Sequence, residues 1–407
     1  MRQAMTEAGR ADAPPDPAGG WSRAIARVPS ALVVPPATSA LVQACGVLDA
    51  QGHFCAGSAT WRGLRATMVA PGAVPAPVAH LAGRHLWCGQ LWSHFGHFLC
   101  ESLSRLWALD HLGGDLPDSL VFVPKRPVTA DEAAAPVPGN AALMRFQRDC
   151  LDLLGLAIPV TLIDRPTTVE ELIVPGQGFG LGAISTATPE FRAFIGARFA
   201  PGVAPAGGER LYLSRSALGG REGGALLEDR LEENLARAGY EIYHPQHHLI
   251  AEQVARYRGA RAVVGLDGSA FHLFAFAGQP GQPDRPARRA AIILRRNSQV
   301  YRPLAAHVGA FTGAAPAILS ALSADWVPEG RGRAGRYSFG QLDFPALAEG
   351  LQGAEFITDA AGWHWPRWRE QKAAIGAIEA DKRIRLVRLA RRAGKGRPAP
   401  VEAAPCA

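Results

Sequence analysis

The sequence predicts an α/β protein with mostly parallel sheets covered by helices, and three observations carry that prediction. Short apolar runs alternate with helical periodicities along both halves of the chain. The alternation is cleanest over residues 210–294, where it reads as a doubly wound sheet whose ligands lie beyond the carboxyl ends of the strands. At 407 residues and 48% hydrophobic content, the chain can build about two or three domains with their own cores.

Taken in order, residues 1–20 carry several prolines and no apolar stretch, so a disordered leader rather than a secretory signal is expected there. Residues 21–200 form the expected N-terminal α/β lobe. In it, 31–34, 41–48, 84–88, 119–124, 158–163 and 169–174 read as strands, and 140–155 and 189–200 as helices. The glycine-rich stretch 177–182 lacks dinucleotide-loop spacing and a following helix, which favours a plain loop or hinge over a cofactor loop. A Pro/Gly/Ala linker at 201–208 marks a domain boundary. Residues 209–300 form the expected Rossmann-like lobe: strands at 210–213, 240–243, 262–266 and 290–294, helices at 225–238, 250–257 and 268–277. Periodicity fades over 301–362, and an irregular segment is expected. A basic amphipathic helix over 363–397 would align Trp368, Ile375, Ile378, Leu386 and Leu389 and end in a run of cations without an acid. Such a helix can lie on anionic lipid headgroups or pack on the body with a solvated basic end.

Composition narrows the function. The net charge is +7, and nearly all of the 43 basic residues are arginine, which suits anion and phosphate recognition. The six cysteines include no C-x-x-C pair, so reduced cytoplasmic thiols are expected, without a zinc knuckle or a disulfide framework. No stretch reaches the roughly 18 apolar residues of a spanning helix. A soluble or peripheral protein is expected.

The chemistry concentrates in three places. Read as a helix, 94–107 puts Phe95, Leu99, Leu103, Leu106 and Leu109 on one arc and His94, His97, Glu101, Ser104 and Arg105 on the other. That second face either carries acid–base chemistry or satisfies nearby backbone groups at a helix end. A metal site is not indicated, because no H-E-x-x-H or further ligand cluster accompanies these residues. Ser214, Arg215, Ser216 and Arg221 leave a strand where a phosphate can accept several bonds, though a plain turn with surface arginines has the same residue types. Asp267, Gly268 and Ser269 open a helix whose free amides can bind an anion, with Asp267 also a good helix cap and His272 one turn further in.

Three of these segments in order resemble the family 61 glycosyltransferases, the group related to capsular polysaccharide biosynthesis enzymes. They are His94-Phe95-Gly96-His97-Phe98-Leu99 through Arg105-Leu106-Trp107, then Leu211-Tyr212-Leu213-Ser214-Arg215-Ser216 with Arg221, then Glu252-Gln253 through Val263-Val264-Gly265 to Gly268-Ser269. The resemblance implies a two-lobed GT-B fold, a nucleotide-sugar donor held by the C-terminal lobe, an acceptor sugar between the lobes, and inversion at the anomeric carbon. It places Ser214, Arg215, Arg221, Gly268 and Ser269 on donor motifs and His97 and Glu101 on the N-lobe motif. Asp267 stands where many members have His, and Leu273 where they have Asn.

An inverting transfer needs a base, here Glu101 or His97, and positive groups to hold the leaving diphosphate, here Arg215, Arg221 and the helix start at Gly268. The chain has no Asp-x-Asp, so no metal or other cofactor is expected. The expected partners are a nucleotide sugar and a glycan or lipid-linked acceptor in surface polysaccharide biosynthesis, and an anionic membrane surface met through 363–397 at the inner face of the membrane. Nucleic acid is not among them. The alternative is a catalytically inactive member that binds nucleotide or glycan in a biosynthetic assembly.

Overall fold

A computed structural model describes residues 13–125, 143–219, 222–278 and 288–389. The chain divides into two compact units between Val203 and Ala204.

The first unit is built on six strands: β1 (Ile25–Val34), β2 (Gly46–Leu48), β3 (Ala79–Leu91), β4 (Ser119–Pro124), β5 (Val160–Leu162) and β6 (Thr167–Pro175), in the order β2-β1-β6-β3-β4-β5. Strands β6, β3, β4 and β5 run parallel, whereas β1 pairs antiparallel with both β6 and β2. The expected mostly parallel sheet is therefore mixed. Trp87, Val121, Val123, Leu172 and Val174 fill its core, in line with the apolar runs that predicted these strands.

The segment after β3 is not the single α-helix that its periodicity suggests. One α-helical turn, α1 (Phe95–His97), passes into a π-helical stretch over Phe98–Ser102, and a 3-10 stretch follows over Leu106–His111. Helices α2 (Arg145–Leu153) and α3 (Pro189–Arg198) complete the unit; α3 has Pro at its start and a Thr188 hydroxyl that accepts from Phe191 N at 3.2 Å. Of the expected leader, residues 1–12 lie outside the described residues. Residues 13–20 are held in place: Trp21 Nε1 donates to Ala13 O at 2.9 Å, and Ser22 Oγ donates to Gly19 O at 2.7 Å.

In the second unit β7 (Arg210–Leu213), α4 (Glu228–Arg237), β8 (Glu241–Tyr243), α5 (Ile250–Gly259), β9 (Ala262–Leu266), α6 (Ala270–Ala277), β10 (Arg289–Ile293), α7 (Tyr301–Thr312) and β11 (Ala317–Leu319) follow one another. The sheet is wholly parallel, in the order β8-β7-β9-β10-β11. The chain steps from β7 outward to β8 and then returns to the other side at β9, so the carboxyl ends of β7 and β9 flank a topological switch point.

Past residue 300 the expectations need two corrections. The segment 301–362 is regular: it holds α7, β11, β12 (Leu322–Pro328), β13 (Phe339–Leu342) and α8 (Phe344–Gly353). Its small, mixed residues hide the helical period. The helix expected over 363–397 is α9 (Trp368–Lys382), which stops at Arg383 in a left-handed turn with φ 50°. Strand β14 (Leu386–Leu389) then pairs antiparallel with β12, Val387 opposite Val327. Sheet pairing there outweighs the helical stripe. Trp363 is buried in the core of this unit, while Trp365 and Trp368 are exposed, and residues 390–397 lie outside the described residues.

Candidate active site

Each unit carries one cluster of chemically capable side chains. In the first, Glu101 is 2% exposed and lies on the π-helical stretch. Arg62 grips it with both arms, Nε donating to Oε1 at 2.6 Å and Nη2 to Oε2 at 2.8 Å. His97 Nδ1 sits 3.1 Å from Arg62 Nη2 and 3.1 Å from Glu101 Oε2. With a proton, Nδ1 donates to the carboxylate; without one, it accepts from the guanidinium. Burial pushes the Glu101 carboxyl up, but the bonds and charge of Arg62 and His97 outweigh it and hold the group below the usual glutamate range.

Trp92 lies against this group, its ring centroid 4.5 Å from that of His97, with the Arg62 guanidinium 4.7 Å and Lys125 Nζ 5.1 Å from its centroid. His94 is exposed, its ring 5.0 Å from that of His97. The glycine-rich stretch 177–182 is a brace for this site. The Gln177 side chain accepts from Trp61 N at 2.8 Å and donates to Trp61 O at 3.2 Å, and Gly63 N donates to Leu181 O at 3.0 Å. Gly182, at φ +82°, lies so close to Gly63 that a Cβ would meet its Cα at 2.2 Å. That clamp fixes the short strand Trp61–Arg62 opposite Glu101.

In the second unit the cluster forms beyond the carboxyl ends of β7, β9 and β10. Arg215 lies against Gly268, where a Cβ would come 2.8 Å from its Nη1. Arg295 and Arg296, directly after β10, reach Asp267: Arg295 N donates to Oδ1 at 3.0 Å, Arg295 Nε donates to the backbone oxygen at 3.0 Å, and Arg296 Nε stands 3.3 Å from Oδ2. Buried Arg215 Nε and Arg295 Nη1 have no hydrogen-bond partner among the described residues. Burial lowers Arg215, and it brings Arg295 down to about 9 with help from the neighbouring Arg215 and Arg296 charges. Crowded guanidinium groups with unsatisfied donors favour an anion at this place. No side chain among the described residues caps α6, which leaves its start open to the same anion.

Residues 95–282 match the family model described as Glycosyltransferase 61. Over this segment the chain is similar to glycosyltransferase family 61. It is accordingly a glycosyltransferase, an enzyme that passes a sugar from a donor to an acceptor. A comparison with curated proteins found no match.

Within the matched family 61 segment, several predicted site residues take other roles. Arg105 does not face a ligand: it is 0% exposed, and its guanidinium donates to the backbone oxygens of Gly57 (2.8 Å), Ser58 (3.1 Å), Ala59 (2.6 Å) and Pro175. Ser104 is buried and donates to Glu101 O at 2.7 Å. Asp267 spends its carboxylate on the two arginines rather than capping α6. Ser214 Oγ is tied to Glu232 Oε1 at 2.5 Å and to Ser216 Oγ at 3.1 Å, which shapes the loop. His272 stands Nδ1 to Nδ1 at 2.7 Å from buried His307. Arg221 lies outside the described residues.

Arg62, Trp92, Lys125, Arg295 and Arg296 are the residues that sequence reasoning missed. Arg62 lies 39 positions before Glu101 in a region of weak periodicity, and nothing local pairs them. Arg295 and Arg296 did have a signal. They directly follow a predicted parallel strand, the position where such sheets bind ligands.

Proposed function

We propose that the enzyme is an inverting glycosyltransferase that transfers a sugar from a nucleotide-sugar donor to a glycan or lipid-linked acceptor in surface polysaccharide biosynthesis. The observation that carries this reading is the group Arg215, Arg295 and Arg296 beyond the strand ends, with buried guanidinium nitrogens awaiting an acceptor. A leaving nucleoside diphosphate is the anion that such a group stabilises, with the α6 dipole adding to it and no metal ion needed in the scheme. The GT-B architecture belongs to the same proposal, supported by the parallel sheet of the second unit.

His97 is the better base of the two candidates. Both Glu101 oxygens are engaged by Arg62, and its depressed pKa makes it a weak proton acceptor. His97 is more exposed, and proton uptake at its other ring nitrogen leaves Nδ1–H donating to Glu101, so the carboxylate stabilises the imidazolium formed. Buried thiols outside any disulfide at Cys45, Cys88, Cys100 and Cys150 suit a reducing compartment and support the proposed cytoplasmic side. Peripheral approach to an anionic membrane is supported by exposed Trp365 and Trp368 beside Arg367 and Arg369. No helix among the described residues is long and apolar enough to cross a membrane.

The test is turnover and binding with a panel of nucleotide sugars. His97→Ala is expected to keep donor affinity and lose about 10²–10⁴ in kcat. Arg295→Ala and Arg296→Ala are expected to weaken nucleoside diphosphate binding. Unchanged turnover in His97→Ala, or unchanged affinity in both arginine variants, would overturn the assignment.

A further inference from the structure

The second unit contains a cavity of about 600 Å³ that the reading above does not use. Its lining includes Arg215 and Ser216 from the loop after β7, Gly223 and Glu228 ahead of and at the start of α4, and Ala374 and Ala377 of α9. Arg215 thus belongs both to this cavity and to the arginine group at Gly268. Small-molecule sites run roughly 300–1,000 Å³, so the space suits a ligand fragment of nucleoside size.

The charge of the lining tells against more phosphate. Glu222, Glu228, Asp229, Glu370 and Asp381 contribute carboxyls, against the cations Arg215, Arg230 and Lys382. Carboxylates repel phosphate oxygens and accept bonds from sugar hydroxyls and ring N–H groups. The face that α9 presents is small at its middle. One side of the helix anchors it to the core, Ile375 packing with Leu226 and Phe339. Toward the cavity the middle of the helix carries Ala373, Ala374 and Ala377, between Glu370 at one end and Ile378, Asp381 and Lys382 at the other. Those small residues leave the space open.

We infer that this cavity receives the nucleoside of the donor and that α9, which lies beyond the matched 95–282 segment, selects which nucleoside enters. The inference rests on the proposed diphosphate site at Arg215 and Arg295. Calorimetry on the full chain tests it with UDP, GDP, ADP, CDP and inorganic pyrophosphate as probes. One nucleoside diphosphate is expected to bind at least about tenfold tighter than pyrophosphate. Ala374→Trp, which puts a bulky ring into the cavity, is expected to erase that advantage and leave pyrophosphate affinity unchanged. Ala377→Leu does so in part and serves if the tryptophan variant loses its melting transition. Arg295→Ala weakens both classes of probe. If every nucleoside diphosphate binds like pyrophosphate, or both alanine variants bind as the parent does, the nucleoside assignment is overturned while the diphosphate site stands. If pyrophosphate does not bind and Arg295→Ala changes nothing, the underlying reading falls and this inference with it.

Discussion

Two buried glutamates, Glu101 and Glu228, have their acidities moved in opposite directions, and the difference lies in their partners. Glu101 has a bidentate guanidinium and an imidazole against it, which outweigh desolvation. Glu228 Oε1 accepts from Arg215 N at 2.7 Å and Tyr212 Oη at 3.1 Å; burial, reinforced by Glu232, wins over these bonds and raises it from 4.5 to about 7. Between those two values the folded chain holds a proton that the unfolded chain has released, so stability falls as pH rises through that window. Glu228→Gln, neutral at every pH, is expected to flatten this slope in melting temperatures measured from pH 5 to 8. Glu101 behaves in the reverse sense: its contribution is present above the ordinary glutamate range and is lost as pH falls through the depressed value. Arg105→Met is expected to cost on the order of 3–5 kcal/mol in denaturant unfolding, because several buried carbonyls lose their donor together. From residue types alone Arg105 looked like a ligand contact. Its depth was invisible because the helical wheel assigns faces, and the π-helical stretch turns that wheel out of phase.

Among the elements, the β9–α6 junction shows most directly how local backbone serves the site. Gly268 needs no special backbone angle; what requires glycine is the Arg215 guanidinium beside it. Gly268→Ala is expected to displace that group and weaken nucleoside diphosphate binding about tenfold, with a melting temperature close to the parent's. A fall in stability without a change in affinity would show that Arg215 is not a ligand contact. The same junction explains what could be read early. Strands β7, β9 and β10 are apolar runs between clear breakers, so the loops at their carboxyl ends could be named in advance. Helix α9 could be started but not ended, since Arg383 adopts its left-handed turn without the glycine that usually announces one. The stripe through Leu386 and Leu389 then reads as helix until β12 is seen beside it.

For the whole molecule, the matched segment and the folding units have different boundaries. Residues 95–282 begin after β3, which sits between β6 and β4 inside the first sheet, and also omit β1 and β2. At the other end they omit β10 and β11, together with Arg295 and Arg296. A fragment cut to 95–282 is expected to be insoluble or to lack a cooperative melt by circular dichroism, since it exposes the interior edges of both sheets. The full chain, in contrast, closes each sheet on its own core.

The sequence by itself determined the α/β class, the doubly wound order of elements in the second half, and the loops that carry Arg215 and Gly268. Each of these follows from apolar periodicity and breaker residues within a window of about 20 positions. Tertiary structure decided the rest. Arg62 meets Glu101 only because the loop at Gln177 clamps Trp61, Arg295 joins Arg215 only because β10 lies beside β9, and Arg105 is a strut because four distant carbonyls converge on it. Contacts between groups so far apart along the chain are set by strand pairing and burial, and no local pattern records them.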